Sequence, residues 1–285
     1  EKPEKNYMVT LHITETTMTK HLVIPDTQVK PGNPIEHLRW AGQYAVDKKP
    51  DVIVHIGDHW DMPALSSYDS GTRNFEGRRY SNDIEAGIQG MEAFLEPIRA
   101  EQQRLIRNKD KRWNPRMVFT LGNHEYRIER AVNADPKLDG LIGFKDLKLE
   151  EMGWEVYDFV EPVIIDDIAY SHYFTSGVMG RPVSSAKLML QKKYMSCVMG
   201  HVQDRDVAFA RKADGTNMLG LFAGIFYQHD EDYLTPQTNG SWSGIWRRYS
   251  LFGDMEEDGD ARVEKLLITS DESYKNHVSN ILICF

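Results

Sequence analysis

Cysteine, long apolar runs and excess positive charge are all scarce in this sequence of 285 residues. Its two cysteines, Cys197 and Cys284, are too few for a disulfide framework, which predicts a reducing compartment. No apolar run approaches the roughly 18 residues of a membrane-spanning helix, and no signal-like segment opens the sequence. The net charge of −9 argues against non-specific attraction to nucleic acid. Together these absences predict a cytoplasmic protein without membrane association.

The composition is that of an ordinary globular protein, with 41% hydrophobic and 27% charged residues. The chain is long enough for one sizeable core, and no repeat or low-complexity linker divides it. We therefore expect a single domain over residues 18–285. Residues 1–17 are polar and rich in threonine, and we expect an N-terminal extension or a cloning remnant there, with an edge strand at 7–14 as one option.

Five short apolar runs end in side chains that bind metals well. The clearest covers residues 51–61 (DVIVHIGDHWD), where β-branched residues lead directly to Gly57 and Asp58. Buried parallel strands show such continuous runs, and open α/β sheets place their chemistry beyond the carboxyl ends of the strands. The five runs end at Asp26, Asp58, Asn123, His172 and His201. Their shared position predicts one common site at neighbouring sheet edges.

Helical periodicity separates the first strands. Apolar residues recur at helical spacing over 35–46 and over 82–108, and Pro97 predicts a kink in the second helix. Each helix joins two strands, which favours parallel pairs with right-handed crossovers. A short helix over 125–132 follows the third strand directly, and its first amides are expected to point freely at an anion.

The later part of the chain predicts further elements. Residues 133–155 look helical but irregular, and turn-forming residues separate the remaining strands. The expected elements are a hairpin over 162–174 that turns at Asp166-Asp167, a helix over 187–194 capped by Ser184-Ser185, an antiparallel pair over 206–224 and a strand over 262–270.

Four motifs in order resemble those of the calcineurin-like metallophosphoesterases. They are GDHWD (57–61), GNHE (122–125), a lone histidine on a later strand (His172) and GHVQ (200–203). The resemblance covers roughly residues 20–230. It implies an α/β fold of four layers, an α/β-β/α sandwich of two mixed sheets flanked by helices. It also implies two divalent metal ions between the sheet ends, Mn²⁺ first, with Mg²⁺, Fe or Zn²⁺ as alternatives.

The resemblance carries over to individual ligands. The implied metal ligands are Asp26, Gln28, Asp58, Asn123, His172, His201 and Gln203. In this assignment Asp58 bridges the two metals and Asp26 belongs to the first. Asn123, His172 and His201 complete the shell of the second metal.

Catalytic and substrate-binding roles follow from the same comparison and from spacing. The resemblance implies that His124 acts beside the substrate phosphate on the transition state or leaving group, and that Asp61 holds it in orientation. Arg127 and Arg130 are spaced i and i+3 after the GNHE turn and are candidates for gripping a phosphate. Arg78, in the loop over 62–81, is a third candidate, although a solvated loop arginine is an equally good interpretation.

Two positions depart from the family pattern. The family usually has Asp-x-His at the first strand and Gly-His-x-His at the last, whereas this chain has Gln28 and Gln203. A glutamine carbonyl is a weaker ligand than imidazole and suits hard cations better than zinc. Both changes fall on the first metal. We therefore expect Mn²⁺ or Mg²⁺ there, bound loosely or only together with substrate.

The function predicted from these residues is hydrolysis of a phosphoester by a metal-activated water. Basic residues near the motifs and aromatic residues over 227–249 favour a phosphodiesterase or nuclease acting on nucleotides or nucleic acid. A phosphomonoesterase is the second hypothesis. A non-catalytic scaffold or binding protein with a degenerate first metal site is the third. The predicted location is the cytoplasm, or the host cytoplasm if the protein is encoded by a phage.

Overall fold

The structure, a computed structural model, describes residues 19–67, 71, 73–227 and 229, together with strands at 244–249 and 263–267. The expected N-terminal extension, the optional strand at 7–14 and Cys284 lie outside these residues. In chain order the strands are β1 Lys20–Ile24, β2 Val52–His55, β3 Arg116–Thr120, β4 Glu155–Tyr157, β5 Val163–Ile165, β6 Ile168–Ser171, β7 Ser196–Met199, β8 Arg205–Arg211, β9 Asn217–Ala223, β10 Gly244–Tyr249 and β11 Val263–Leu267.

Four α-helices and several short 3₁₀ turns connect the described strands. The helices are α1 Glu36–Lys48, α2 Tyr80–Asn108, α3 Arg127–Ala134 and α4 Ala186–Lys193. The 3₁₀ turns are Pro63–Leu65, Arg73–Phe75, Pro136–Leu138 and Phe144–Leu147. In the part of the chain that is described, no helix is both long and apolar enough to cross a bilayer.

The strands form two mixed sheets. The first has the order β11-β10-β1-β2-β3-β4, in which β1 to β4 run parallel and β10 pairs with β1 antiparallel. The second has the order β5-β6-β7-β9-β8, with β6, β7 and β9 parallel and the two edge strands antiparallel. Parallel strands present their carboxyl ends at one edge, so both sheets offer a set of strand ends for a site.

Alternation of side chains along the strands creates three apolar layers. Along β1, Leu22 and Ile24 pack with α1 and α2, whereas Val23 packs with the facing side of the second sheet. On the other side of the second sheet, Cys197 and Met199 pack against α4. The order of layers is therefore helix, sheet, sheet, helix, which confirms the predicted four-layer α/β-β/α sandwich.

Most predicted elements are present within the described residues, with shifted ends. The expected hairpin is the antiparallel pair β5–β6, and the Ser185 side chain accepts a hydrogen bond from Leu188 N at 3.1 Å as the cap of α4. The segment over 227–249, singled out in the sequence for its aromatic residues, contains strand β10. The prediction of free amides after the third strand was wrong, because the amides of Tyr126 and Arg127 already donate to Gly122 O and His124 O.

Candidate metal centre and active site

Four polar side chains from four different strand ends converge on one point. Asp58 follows β2, Asn123 follows β3, His172 follows β6 and His201 follows β7. His172 Nε2 lies 3.4 Å from Asp58 Oδ2 and 2.9 Å from Asn123 Oδ1. His201 Nδ1 lies 2.6 Å from the same Asn123 oxygen. Ligand atoms of Asp58, His172 and His201 all lie within 4.8 Å of one another, which is compact enough for one metal ion.

The protonation of His172 shows why a cation fits there. Its Nδ1 lies 2.9 Å from Ile56 O, and since a carbonyl only accepts, Nδ1 carries the hydrogen. Burial lowers the pKa of His172, which favours the neutral ring. Nε2 therefore presents a lone pair to Asp58 Oδ2 and Asn123 Oδ1, which are also acceptors. Three acceptors that face each other are satisfied by a metal ion, and the carbonyl that orients His172 is a usual partner of a metal-binding imidazole.

The backbone around these ligands leaves no room for extra side chains. Asp58 and His201 adopt left-handed conformations, with φ of 50° and 63°, which turns each side chain inward immediately after its strand. A Cβ added to Gly122 would lie 2.1 Å from Asp58 Oδ1, and one added to Gly200 would lie 2.2 Å from Asp26 Oδ1. The two glycines therefore allow backbone to approach the buried carboxylates closely.

The expected ligands of the first metal lie beside this cluster. Both carboxylate oxygens of the buried Asp26 accept from His201 N, at 3.2 and 3.1 Å. Burial, and then the charge of Asp58, raise the pKa of Asp26 well above its usual value. The buried Gln28 Oε1 has no hydrogen-bond partner among the described residues. Gln203 lies half-buried in the turn after His201. The mutually repelling carboxylates of Asp26 and Asp58 and the unpartnered oxygen of Gln28 are groups that a hard divalent cation would satisfy.

The imidazole of His124 is fixed at the rim of the same cluster. Its Nδ1 lies 2.9 Å from Asp61 Oδ1, and its Nε2 lies 3.7 Å from Asp58 Oδ2 and 3.1 Å from Arg127 Nη2. With Nδ1 donating to Asp61, Nε2 is left to accept from Arg127 and faces the metal side. Lys30 Nζ approaches the other oxygen of Asp61 at 3.7 Å. Nδ1 is thus anchored, whereas Nε2 can take up a proton once the Arg127 N–H turns to another acceptor.

The charges around His124 support proton uptake at that nitrogen. Burial favours the neutral ring, but the carboxylates of Asp58 and Asp61 outweigh it and raise the pKa of His124. Burial likewise opposes ionisation of Asp61, but the hydrogen bond with His124 lowers the pKa of Asp61 to about 2. Burial lowers the pKa of His201 to about 4, which keeps its imidazole neutral and able to bind a metal. These charges therefore favour ionised carboxylates at Asp58 and Asp61, a neutral imidazole at His201 and a protonatable imidazole at His124.

The three arginines predicted to bind substrate lie in different environments. Arg127 is half-buried and donates to Asp61 O at 2.8 Å and Met62 O at 3.2 Å, beside His124. Arg130 is exposed on α3. Arg78 donates to Pro63 O at 3.1 Å and so ties its loop to the 3₁₀ turn Pro63–Leu65. Arg127 is thus hydrogen-bonded to Asp61 and lies 3.1 Å from His124 Nε2, next to the proposed catalytic residues.

Glu125 has a role that the sequence motif alone did not indicate. Its buried carboxylate accepts four backbone hydrogen bonds. The donors are Asp58 N at 3.0 Å, His59 N at 2.7 Å, Trp60 N at 2.9 Å and Gly122 N at 2.8 Å. Glu125 therefore joins the turn after β2 to the turn after β3 and positions both ligand-bearing loops. Its position directly after the Asn-His pair marks an acidic residue in the sequence but does not indicate its hydrogen-bond partners.

Comparisons with known proteins give partial matches. No protein-family model matches the chain. The Gene 54 protein of Mycobacterium phage L5 is 39% identical over 83 residues, which are 29% of this chain and 31% of the phage protein. The crystal structure of a conserved uncharacterised protein of Streptococcus pneumoniae TIGR4, a predicted phosphoesterase, aligns over 88% of this chain and 90% of that one, with 12% identity and a TM-score of 0.34. At that TM-score the likeness adds no support for a function.

Proposed function

We propose that this protein is a metal-dependent phosphoester hydrolase of the calcineurin-like type, with a phosphodiester of a nucleotide or nucleic acid as its substrate. The observation that carries the proposal is the convergence of Asp58, Asn123, His172 and His201 from four strand ends, with His124 held beside them by Asp61. A protein that only kept the fold would not need an imidazole oriented in this way.

Each residue has a chemical task in this proposal. Asp58, Asn123, His172 and His201 would hold one divalent cation, and Asp26 with Gln28 would hold a second one next to Asp58. Such cations neutralise phosphoryl oxygens and make hydroxide available near neutral pH. His124, protonated at Nε2, donates that proton to the departing alkoxide or to a phosphoryl oxygen.

The residues beside His124 suit a phosphoester with an unactivated leaving group. The half-buried Arg127 presents a guanidinium next to His124 Nε2, where it can pair with one phosphate oxygen. A leaving alkoxide of an unactivated diester needs a proton donor, and the anchored His124 supplies one. A phosphomonoesterase remains the alternative, since the same residues would also bind a terminal phosphate.

Two measurements test the proposal. Metal content is first determined on protein purified with Mn²⁺ and after dialysis against a chelator. Turnover of bis-p-nitrophenyl phosphate and of p-nitrophenyl phosphate is then compared with Mn²⁺ present. The expected result is turnover of the diester with Mn²⁺, and His124→Ala should lower the hydrolysis of an unactivated diester, thymidylyl-(3′→5′)-thymidine, by roughly 10²- to 10⁴-fold, the usual contribution of general acid–base catalysis. Arg107→Ala, an exposed change at the end of α2, is the matched control.

The outcomes separate the three hypotheses. Turnover of the monoester alone would support a phosphomonoesterase. No turnover of either compound with Mn²⁺, Mg²⁺, Fe²⁺ or Zn²⁺ would support a binding or scaffold protein. The cytoplasmic location remains part of the proposal, and the match to a phage protein is compatible with the cytoplasm of a host cell.

A further inference from the structure

Three aromatic side chains form a continuous wall beside the metal centre. We call Tyr126, Phe159 and Tyr173 the aromatic wall. The rings of Tyr126 and Phe159 are stacked, with centroids 4.8 Å apart and an angle of 27°. The ring of Tyr173 meets Phe159 edge-on, at 5.4 Å and 84°. The three residues come from three separate connections, after β3, β4 and β6, so the wall is assembled by the fold.

The aromatic wall contacts the proposed metal ligands directly. The centroid of the Tyr173 ring lies 4.9 Å from that of His201 and 6.0 Å from that of His172. The Phe159 ring lies 6.2 Å from that of His172. Tyr126 follows His124 by two residues in the chain. A substrate phosphate at the metal centre would therefore have its attached groups beside these rings.

The exposure of the wall distinguishes it from the aromatic core. Phe119, in β3, and Trp154, immediately before β4, are 0% and 3% exposed. All three residues of the aromatic wall remain half-buried at the open edge of the sheets. Partly exposed aromatic rings at a binding edge provide apolar area and flat faces, which suit a planar ligand.

We infer that the aromatic wall is a stacking subsite for an unpaired nucleobase of the phosphodiester substrate. This inference rests on the proposed function and narrows its substrate class. Base–aromatic stacking tolerates any base, because every base has a π face. The net charge of −9 disfavours a long polyanion, so the substrate is a nucleotide-sized or short single-stranded diester.

The three rings have different roles in the inferred stacking subsite. Phe159 lies between the two tyrosines, stacked on Tyr126 and nearly perpendicular to Tyr173, so it is a positioning residue. The base contact is assigned to Tyr126 and Tyr173, the half-buried rings at the two ends of the wall. Tyr173 is additionally anchored by a hydrogen bond from its hydroxyl to Gly180 O at 3.4 Å.

The test compares two substrates that differ only in their bases. One is thymidylyl-(3′→5′)-thymidine, and the other is the same diester built from 1,2-dideoxyribose without bases. Hydrolysis with Mn²⁺ is followed by chromatography, and kcat and KM are measured separately. The expected ratio of kcat/KM between the two compounds is on the order of tenfold or more, as one stacked base contributes.

Variants show whether the wall causes that ratio. Tyr173→Leu and Tyr126→Leu should each bring the ratio towards one, mainly through KM, while Tyr173→Phe and Tyr126→Phe keep it. Tyr194→Leu removes an exposed tyrosine on the far side of the second sheet, at the end of α4, and should leave the ratio unchanged. A purely structural role would instead lower turnover of both compounds equally.

Several outcomes would overturn the inference without touching the proposed function. They are an equal kcat/KM for both compounds in the unchanged protein, or leucine variants that retain the full ratio. Calorimetric binding of thymidine 5′-phosphate against 2-deoxyribose 5-phosphate makes the same comparison without turnover, and equal affinities would also refute stacking. Absence of bis-p-nitrophenyl phosphate turnover by the unchanged protein, in contrast, would refute the phosphodiesterase proposal itself.

Discussion

Replacing Glu125 by glutamine tests the argument about loop positioning most directly. Oε1 accepts from His59 N and Trp60 N, and Oε2 accepts from Asp58 N and Gly122 N. A glutamine keeps one of these oxygens and turns an NH₂ group towards the other two donors. Two buried backbone N–H groups then lose their acceptor, at about 1–3 kcal/mol each. The expected loss is therefore about 2–6 kcal/mol, a large part of the 5–15 kcal/mol typical of a domain.

Urea unfolding of metal-free protein, followed by circular dichroism, measures this loss without a contribution from bound cations. Glu129→Gln is the matched control, because Glu129 lies on the neighbouring α3 and its carboxylate accepts a hydrogen bond from the exposed Asn133 side chain at 3.2 Å. Its expected change is below about 0.5 kcal/mol, as for other surface substitutions. A Glu125→Gln protein as stable as the Glu129→Gln protein would refute the proposed positioning role.

Three further changes probe other parts of the structure. Changing Gln28 and Gln203 together to histidine should raise the zinc or iron content of purified protein, measured by mass spectrometry; unchanged content would show that these side chains do not face a metal. Gly200→Ala places a Cβ 2.2 Å from Asp26 Oδ1, so it should weaken Mn²⁺ binding in calorimetry, whereas an unaltered affinity would contradict the close approach. Burial lowers the pKa of His37 from 6.5 to about 3, so the unfolded chain binds the proton that the folded protein excludes. Stability is then full above pH 6.5 and falls as the pH drops towards 3, by up to about 1.4 kcal/mol per pH unit. His37→Leu should make urea midpoints less dependent on pH over this range, and an unchanged slope would count against the buried neutral ring.

The strand-and-turn pattern made the centre of the fold predictable. Continuous β-branched runs specify buried strands, and residues such as Asp58 mark their ends, so the sheet edge that carries the site follows from the sequence. The four-layer arrangement came from the family resemblance and is confirmed by the alternation of Leu22, Val23 and Ile24 between two apolar layers. Strand β10 was missed because Gly244 and flanking polar residues obscure the period of two on which strand prediction depends.

The parts of the site that were not predictable depend on contacts between distant segments. Nothing local indicates that Glu125 would accept hydrogen bonds from two separate turns. Likewise, Tyr126, Phe159 and Tyr173 are spread over 48 residues and show no shared motif; only the meeting of three connections makes them neighbours. The sequence also predicted free amides after the third strand, whereas in the structure the amides of Tyr126 and Arg127 donate to Gly122 O and His124 O.

Asp58 and Asn123 follow strands of the first sheet, whereas His172 and His201 follow strands of the second. A cation bound by all four would therefore link the two sheets. Binding of the ion and the packing of the two sheets against each other would then be thermodynamically coupled. An ion that binds only the folded state increases the free energy of unfolding by RT ln(1 + [ion]/Kd), and so raises the unfolding temperature. The folding stability of the protein would thus depend on the concentration of free metal ion.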